Sequence, residues 1–219
     1  LDISSPKMFS MLLARHVAAQ MTLTDIWDVA VREVQELWRA NLRRLKGKVE
    51  FAIADARKLS QYADASFDHT YSMSVIEHIE EFTEVQQAIS EMVRVTKRSG
   101  TVVISVPVAP KSRKVLLEQN VYGNSGAAVK PVFFSHYFDK AQLDQLFAAA
   151  KDYSIRSAHF IQWRNPWYLR LWTRVPSKIQ GVLGLVNLLL SPLVTRIELI
   201  SHWPTFVLPC DGVVVVQLN

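Results

Sequence analysis

Residues 101–108 read TVVISVPV, a run that is apolar at nearly every position. Side chains alternate faces along a strand, so a run of this kind needs a covering layer on both sides of its sheet. The sequence supplies the layers. Phe82, Val85, Ile89 and Met92 step by three and four residues, predicting a helix that closes at Lys97-Arg98-Ser99-Gly100, with cations in its last turn and glycine just past it.

The same alternation runs through most of the chain. Helices are expected over 5–18, opened by Ser5-Pro6 with the proline in the first turn, and over 29–45, where Val31, Val34, Trp38, Leu42 and Leu45 share a face. Strands are expected at 21–26, 49–55, 66–76, 153–161 and in the closing GVVVVQLN. Asp139 with Gln142 makes a capping-box start for a helix in DKAQLDQLFAAA. Alternating strands and helices predict an α/β, Rossmann-like, doubly wound and mostly parallel sheet. Ligands of such sheets bind at the carboxyl ends of the strands, around the switch in strand order.

Composition narrows the chemistry. The single cysteine, Cys210, excludes an internal disulfide framework, and no Cys/His cluster has zinc-site spacing, which favours a cytoplasmic protein. Seven glycines, none before Gly47, exclude both a G-x-G-x-x-G dinucleotide loop and a phosphate-binding P-loop. A net charge of +5 permits an anionic partner, but no nucleic-acid-binding module is recognisable, so nucleic acid is not expected.

The residues that follow the predicted strands are therefore the candidate site: Asp2 to Ser5, Asp25 to Trp27, Asp55 to Arg57 and Ser72 to His78. A carboxylate at a strand end can accept from both vicinal hydroxyls of a ribose, and Asp25 has that position. Ile26 and Trp27 beside it suit the face of a base. Asp55 can accept from an exocyclic amine while the Ala56 N–H donates to a ring nitrogen. His78, the imidazole that follows the predicted strand at 66–76, is the candidate general base.

DARKLSQYADASFDHTYSMSVIEHIEEF, followed by EMVRVTKRSGTVVISVPV, resembles the central part of class I S-adenosylmethionine-dependent methyltransferases, the type 11 group in particular. The likeness runs over about residues 1–161 and resumes at 212–218; its most specific part is the series D-A-x-x-L, S-F-D, E-H-I, R-V, S-G. It implies S-adenosylmethionine as cofactor, an adenine site at Asp55 and Ala56, a methionine contact near Ser72, and an acceptor cavity beyond Ser74 and His78. Some relatives bind a metal through Glu-x-x-Glu-His, but Ser74 stands where the first Glu would be, so no metal is expected.

The resemblance admits two registers for the opening LDISSPK. If LDI ended the second strand, MTLTDI and one helix before Val49 would have no place in the fold. If LDI ends the first strand, each element is used once and Asp25 falls where the ribose ligand belongs. The second register is adopted. It makes the chain one methyltransferase domain over 1–219 with the start of strand one upstream, and it makes SSPK a cofactor loop without glycine. Asp2, Ser4 and Ser5 then join Asp25, Ile26, Asp55, Ala56 and Ser72 as the candidate cofactor contacts. Such a loop lacks the freedom that lets a backbone approach the cofactor, which keeps a non-catalytic, methyltransferase-like binding or scaffold domain as the alternative function.

Two segments bear on the acceptor. Residues 107–137 carry Tyr122, Phe133, Phe134, His136 and Tyr137 in what reads as a long loop after a strand. Residues 163–208 interrupt the last two strands with a hydrophobic insertion expected to be helical. There Trp163, Trp167, Tyr168 and Trp172 interleave with Arg164, Arg170, Arg174 and Lys178, and an uncharged run follows from Ile179 to Thr195. Cations, interfacial aromatics and apolar residues in sequence suit a membrane surface. The expected reaction is methyl transfer to a small, hydrophobic or lipid-linked acceptor, in the cytoplasm or at a membrane.

Overall fold

The computed structural model describes residues 1–4, 7–39, 46–118, 131–148, 153–163, 171, 174–176, 179, 197–204 and 210–218. In chain order the elements are β1 (Asp2–Ile3), α1 (Lys7–His16), β2 (Gln20–Asp25), α2 (Asp28–Arg39), β3 (Lys48–Ile53), β4 (Phe67–Met73), a short 3-10 turn at Ile76–His78 and α3 (Phe82–Val95). Then follow β5 (Thr96–Val108), β6 (Arg113–Leu117), β7 (Val132–Tyr137), α4 (Lys140–Ala148), β8 (Tyr153–Trp163), β9 (Ile197–Ile200) and β10 (Cys210–Leu218).

Among the described residues, eight strands form one sheet in the order β3-β2-β1-β4-β5-β10-β8-β9. The first five run parallel, and β10 enters antiparallel between β5 and β8. Strand order reverses at β1, which pairs with β2 through Asp2↔Leu23 and with β4 through Asp2↔Tyr71. LDI is thus the central first strand, as the adopted register requires, and the switch point lies between β1 and β4.

Each face of the sheet has its own core. Ile3, Val102, Ile104 and Val106 pack with Val85, Ile89 and Met92 of α3 and with Leu143, Leu146 and Phe147 of α4. On the other face Leu23 and Tyr71 pack with Ala14 of α1 and with Val34 and Trp38 of α2. Trp38, only 1% exposed, meets Phe51 edge-on at 5.7 Å. Burying a Trp of this kind contributes about 3 kcal/mol, which fixes α2 against β3.

Three expectations change. First, α3 stops at Val95, before the basic cluster, because Thr96 turns extended and its Oγ1 donates back to the Met92 carbonyl at 2.6 Å. Lys97–Gly100 instead form a bulge, the register moving from Phe67↔Thr96 to His69↔Thr101, and Lys97 pairs with Asp68 at 2.9 Å. It is Ser99, at φ 66°, that takes the left-handed conformation. Gly100 is required by space: a Cβ there would lie 2.6 Å from the Lys97 carbonyl oxygen and 2.7 Å from that of Asp68.

Second, the segment read as a loop contains an antiparallel hairpin, β6–β7, paired from Arg113↔Tyr137 to Leu117↔Val132. Third, the 163–208 insertion includes a strand near its end: β9 pairs antiparallel with β8 from Phe160↔Ile200 to Trp163↔Ile197 and forms the sheet edge. The remainder of that insertion, with its uncharged run, falls almost wholly outside the described residues, as do Ser5, Pro6 and Tyr122. Among the described residues no helix is long and apolar enough to cross a membrane.

Candidate active site

The carboxyl ends of the parallel strands are tied laterally by backbone bonds. Ala54 N–H donates to the Asp25 carbonyl at 2.9 Å, Ser4 N–H to that of Thr24 at 3.0 Å, and Ser74 N–H to that of Ser105 at 3.1 Å. These links bring the predicted residues after β1, β2, β3 and β4 to one edge of the sheet. Two of them are strained. Ser4, after β1, has φ 51° and Ser74, after β4, has φ 54°, so both strands flanking the switch point end on a non-glycine residue in the left-handed region.

Asp2 is 1% exposed and points into the fold. Ser10 Oγ, on α1, donates to its Oδ2, and Thr24 Oγ1 donates to its main-chain carbonyl at 2.8 Å. The Tyr71 hydroxyl lies 3.4 Å from Ser10 Oγ, and burial, with Asp2 as a smaller contribution, pushes that phenol well above its ordinary value. The carboxylate therefore fastens α1 to β1, so that any effect on a ligand is transmitted through the helix it anchors. Ser4 is half-buried at the start of the loop.

At the end of β2, Asp25 Oδ1 accepts from the Trp27 N–H at 3.1 Å, an Asx turn that starts α2. Ile26 and Trp27 are each 46% exposed, an apolar pair left open beside a carboxylate. Asp55, after β3, is held more tightly. Arg57 Nε reaches Oδ1 at 3.0 Å and Oδ2 at 3.1 Å, Nη2 reaches Oδ2 at 2.7 Å, and the Arg57 N–H donates to Oδ1 at 2.9 Å. Hydrogen bonding from Arg57 holds the Asp55 carboxyl below its usual range. Ala56, next in the chain, is half-buried.

The loop that follows is fastened to α3. Glu91 Oε2 accepts from the Leu59 N–H at 2.8 Å, while Arg94 donates to the carbonyls of Leu59 at 3.1 Å and Tyr62 at 3.0 Å and pairs with both Glu91 and Asp64. The R-V part of the motif series, through Arg94, is thus bonded to Leu59 of D-A-x-x-L.

In β4, Ser72 is fully buried and its hydroxyl has no hydrogen-bond partner among the described residues. Two positions on, Ser74 Oγ lies 3.4 Å from Ser105 Oγ. His78 Nδ1 lies 2.6 Å from the Phe134 carbonyl oxygen of β7, its ring edge-on to Phe134 at 4.9 Å. The bond is returned: His136 Nε2, also on β7, lies 2.8 Å from the Glu80 carbonyl oxygen. Burial lowers the pKa of His136, whose ring stacks on Phe138 at 5.4 Å. The hairpin is thus clasped to the segment that carries His78. Sequence reasoning placed His78 but missed the clasp, since nothing in the spacing shows that residues 134 and 136 face 78 and 80. Among the described residues no group of His, Cys, Asp and Glu has the disposition of a metal site.

Residues 1–104 match the model of the type 11 methyltransferase domain family. Over those residues, just under half of the chain, it is similar to a class I S-adenosylmethionine-dependent methyltransferase domain. No curated protein matches the sequence. Among solved structures, a protein from Pyrococcus horikoshii OT3 aligns with a TM-score of 0.59 at 18% identity, covering 100% of this chain and 80% of its own. A SAM-dependent methyltransferase from Methanosarcina mazei aligns at 0.61 and 17% identity, covering 99% and 90%. The (4+2)-cyclase SpnF aligns at 0.57 and 16% identity, covering 100% and 73%. At such identities the likeness shows the fold.

The methyltransferase cofactor fits what this edge offers. Ser72 has a buried hydroxyl with an unmet bond, Ile26 and Trp27 leave apolar area beside Asp25, and the Asp55 carboxylate is ionised by its arginine. The departure from family pattern is the loop. Ser4 adopts by strain the left-handed backbone that a glycine adopts freely.

Proposed function

We propose that this methyltransferase acts on a small acceptor with an apolar body and a hydroxyl that must lose its proton, and that His78 removes it. The observation that supports this is the 2.6 Å contact between His78 Nδ1 and the Phe134 carbonyl. A carbonyl oxygen only accepts, so Nδ1 carries the hydrogen and Nε2 is the basic nitrogen. The sequence after β4 and the hairpin after β5 together fix that tautomer.

S-adenosylmethionine, when bound, supplies a methyl group on a sulfonium, which carries its own driving force. The protein's part is alignment, exclusion of water and handling of one proton. Asp25 accepts from the ribose hydroxyls, and Ile26 lies against the base. Asp55 accepts from the exocyclic amine and the Ala56 N–H donates to the ring. Ser72 bonds the methionine moiety. Ser4, ahead of α1, the helix that Asp2 anchors, offers its hydroxyl to that carboxylate, and Ser5 is proposed for the same role from the sequence alone. Phe133, Phe134 and Tyr137 of the hairpin supply apolar surface for the acceptor. A lipid-linked acceptor and contact with a membrane surface are proposed from the sequence of residues 163–208, where basic and aromatic residues precede an uncharged run.

The test has two parts. Calorimetric titration with S-adenosylmethionine and S-adenosylhomocysteine is expected to show binding of both; absence of either at millimolar concentration would favour the non-catalytic domain. A screen of hydroxyl-bearing acceptors, free and lipid-linked, with methyl-labelled cofactor then identifies a substrate. On that substrate His78→Asn is expected to lower kcat roughly 10²-fold or more while leaving cofactor affinity unchanged. A kcat within threefold of wild type would remove His78 from the reaction.

A further inference from the structure

We propose that the acceptor carries an anionic group besides its hydroxyl, a carboxylate or a phosphate monoester, and that Lys114 of β6 binds it; this rests on the hydroxyl-acceptor reading above and narrows it. The observation that carries it is a β-bulge. Val115 pairs with Ser135 and Leu116 with Phe133, so the ladder passes over Phe134. A residue left out of the ladder keeps its carbonyl available, and the Phe134 carbonyl oxygen is the one that His78 Nδ1 meets at 2.6 Å.

The same extra residue re-aims its neighbours. Cross-strand partners share a face, as do residues two apart in one strand. Lys114, its partner His136, Leu116 and its partner Phe133 therefore lie on one side of the hairpin. Without the bulge Phe133 and His136, three apart, would point to opposite sides. The contacts agree: the rings of Phe133 and His136 are 4.9 Å apart, and Lys114 Nζ lies 5.5 Å from the Phe133 centroid. This side is turned to the segment that carries His78, since His136 Nε2 lies 2.8 Å from the Glu80 carbonyl oxygen.

The face is apolar with a cation at its margin. Leu116 is 55% exposed, Phe133 is half-buried and Lys114 is exposed. Among the described residues no carboxylate, Glu81 included, lies within ion-pair distance of the Lys114 ammonium. Its charge reaches the clasp, where it opposes protonation of His136 while Glu81 favours it. Arg113, next to it in β6, is laid over the Tyr137 ring at 4.6 Å instead. The complement of this face is an amphiphilic anion: its body against Leu116 and Phe133, its charged end at Lys114 and its hydroxyl toward His78. An ammonium acts as a point charge on a flexible stem, so it admits a carboxylate or a phosphate alike.

The full chain, saturated with S-adenosylhomocysteine, is titrated calorimetrically with 8-hydroxyoctanoate, 8-hydroxyoctyl phosphate and the neutral 8-hydroxyoctanamide, and with 4-hydroxybenzoate against 4-hydroxybenzamide. The two anionic heads tell carboxylate from phosphate. Wild type is expected to bind the anionic members roughly fivefold more tightly than the neutral ones, the scale of one exposed charge pair. Lys114→Gln should reduce that ratio to about twofold or less, Lys114→Arg should keep it and Lys114→Glu should reverse it. Lys48→Gln, which removes an equal exposed charge at the amino end of β3, should leave it unchanged. Raising salt from about 50 to about 500 mM should erase most of the preference. A structural loss would weaken charged and neutral ligands equally and leave the ratio as it was. Wild type without a preference, or Lys114→Gln keeping more than about twofold, overturns the inference and leaves the hydroxyl-acceptor reading to its own turnover test. Failure of S-adenosylhomocysteine to bind, or of every member to bind the loaded chain, fails the proposed function and takes the inference with it. Circular dichroism confirms folding of each variant, and Lys114→Arg and Lys114→Glu carry the test should Lys114→Gln not fold.

Discussion

Ser4→Gly tests whether the glycine-free loop is a strained substitute for the family's loop. At φ 51° the serine Cβ crowds its own backbone, at a cost of about 1–2 kcal/mol that glycine does not bear. Against this, glycine adds about 0.4–1 kcal/mol of conformational freedom to the unfolded chain. Loss of the side chain carries little further cost, since Ser4 is only half-buried and its backbone bond to Thr24 is unaffected. The difference is a net gain of roughly 0.5–1 kcal/mol. Urea denaturation is expected to show a midpoint raised by about 0.2–0.4 M, taking a slope near 2.5 kcal/mol/M. Ser74→Gly, at φ 54°, should shift in the same direction. Ser4→Val should lose more than 1 kcal/mol, because a β-branched residue tolerates this region least. Cofactor affinity follows from the same backbone: with the cradle relaxed, S-adenosylhomocysteine should bind Ser4→Gly several-fold more tightly. A Ser4→Gly protein less stable than wild type, or a Ser4→Val protein as stable, would refute the strained conformation.

Other consequences are more local. Arg94→Ala should cost about 2 kcal/mol in denaturant unfolding, since it strands the Leu59 and Tyr62 carbonyls and leaves Glu91 without its cation. Gly100→Ala should cost about 1–3 kcal/mol, because its Cβ meets backbone oxygens on two sides; a loss under 0.5 kcal/mol would show that the bulge yields easily. His136 titrates with a folded pKa below its ordinary 6.5, so the unfolded chain binds more protons as pH falls. Its contribution is therefore fully present above 6.5 and is lost as pH falls through the folded pKa; His136→Gln should flatten the part of the stability profile between pH 7.5 and 5 that this histidine supplies. Glu81, whose charge raises that pKa, and Lys114, whose charge lowers it, are the charged neighbours that modulate the slope.

How much of this was legible depended on the range of the interaction concerned. The continuous apolar run TVVISVPV and the spacing of Val31, Val34 and Trp38 are local patterns that led to the right layers, and counting elements forward to Val49 led to the register of LDI. The Asp139 cap was equally local, its Oδ1 accepting from the Gln142 N–H at 2.9 Å. The end of α3 was misjudged because Lys97-Arg98-Ser99-Gly100 has the composition of a helix terminus, whereas Thr96 already bonds Thr70 across the strands at 2.7 Å and commits the chain to β5. Hairpin β6–β7 and edge strand β9 could not be foreseen, since each is stabilised by a partner far along the chain and interrupted by sequence without a strand signature.

The same division runs through the site. Residues named from strand ends, Asp25, Asp55, Ser72 and His78, were recognisable because their position in the fold follows from the alternation. The groups that orient them were not, for each acts across an interface: Arg57 reaches Glu84 on α3, Ser10 of α1 reaches Asp2, and Phe134 of β7 reaches His78. In each case the supporting bond joins a strand end to the element packed beside it. A substitution in α1, α3 or the hairpin that shifts its element by even a fraction of an ångström should therefore register first in ligand affinity and only later in stability. That order of sensitivity distinguishes a site assembled from sheet, helices and hairpin together from one carried by the sheet alone.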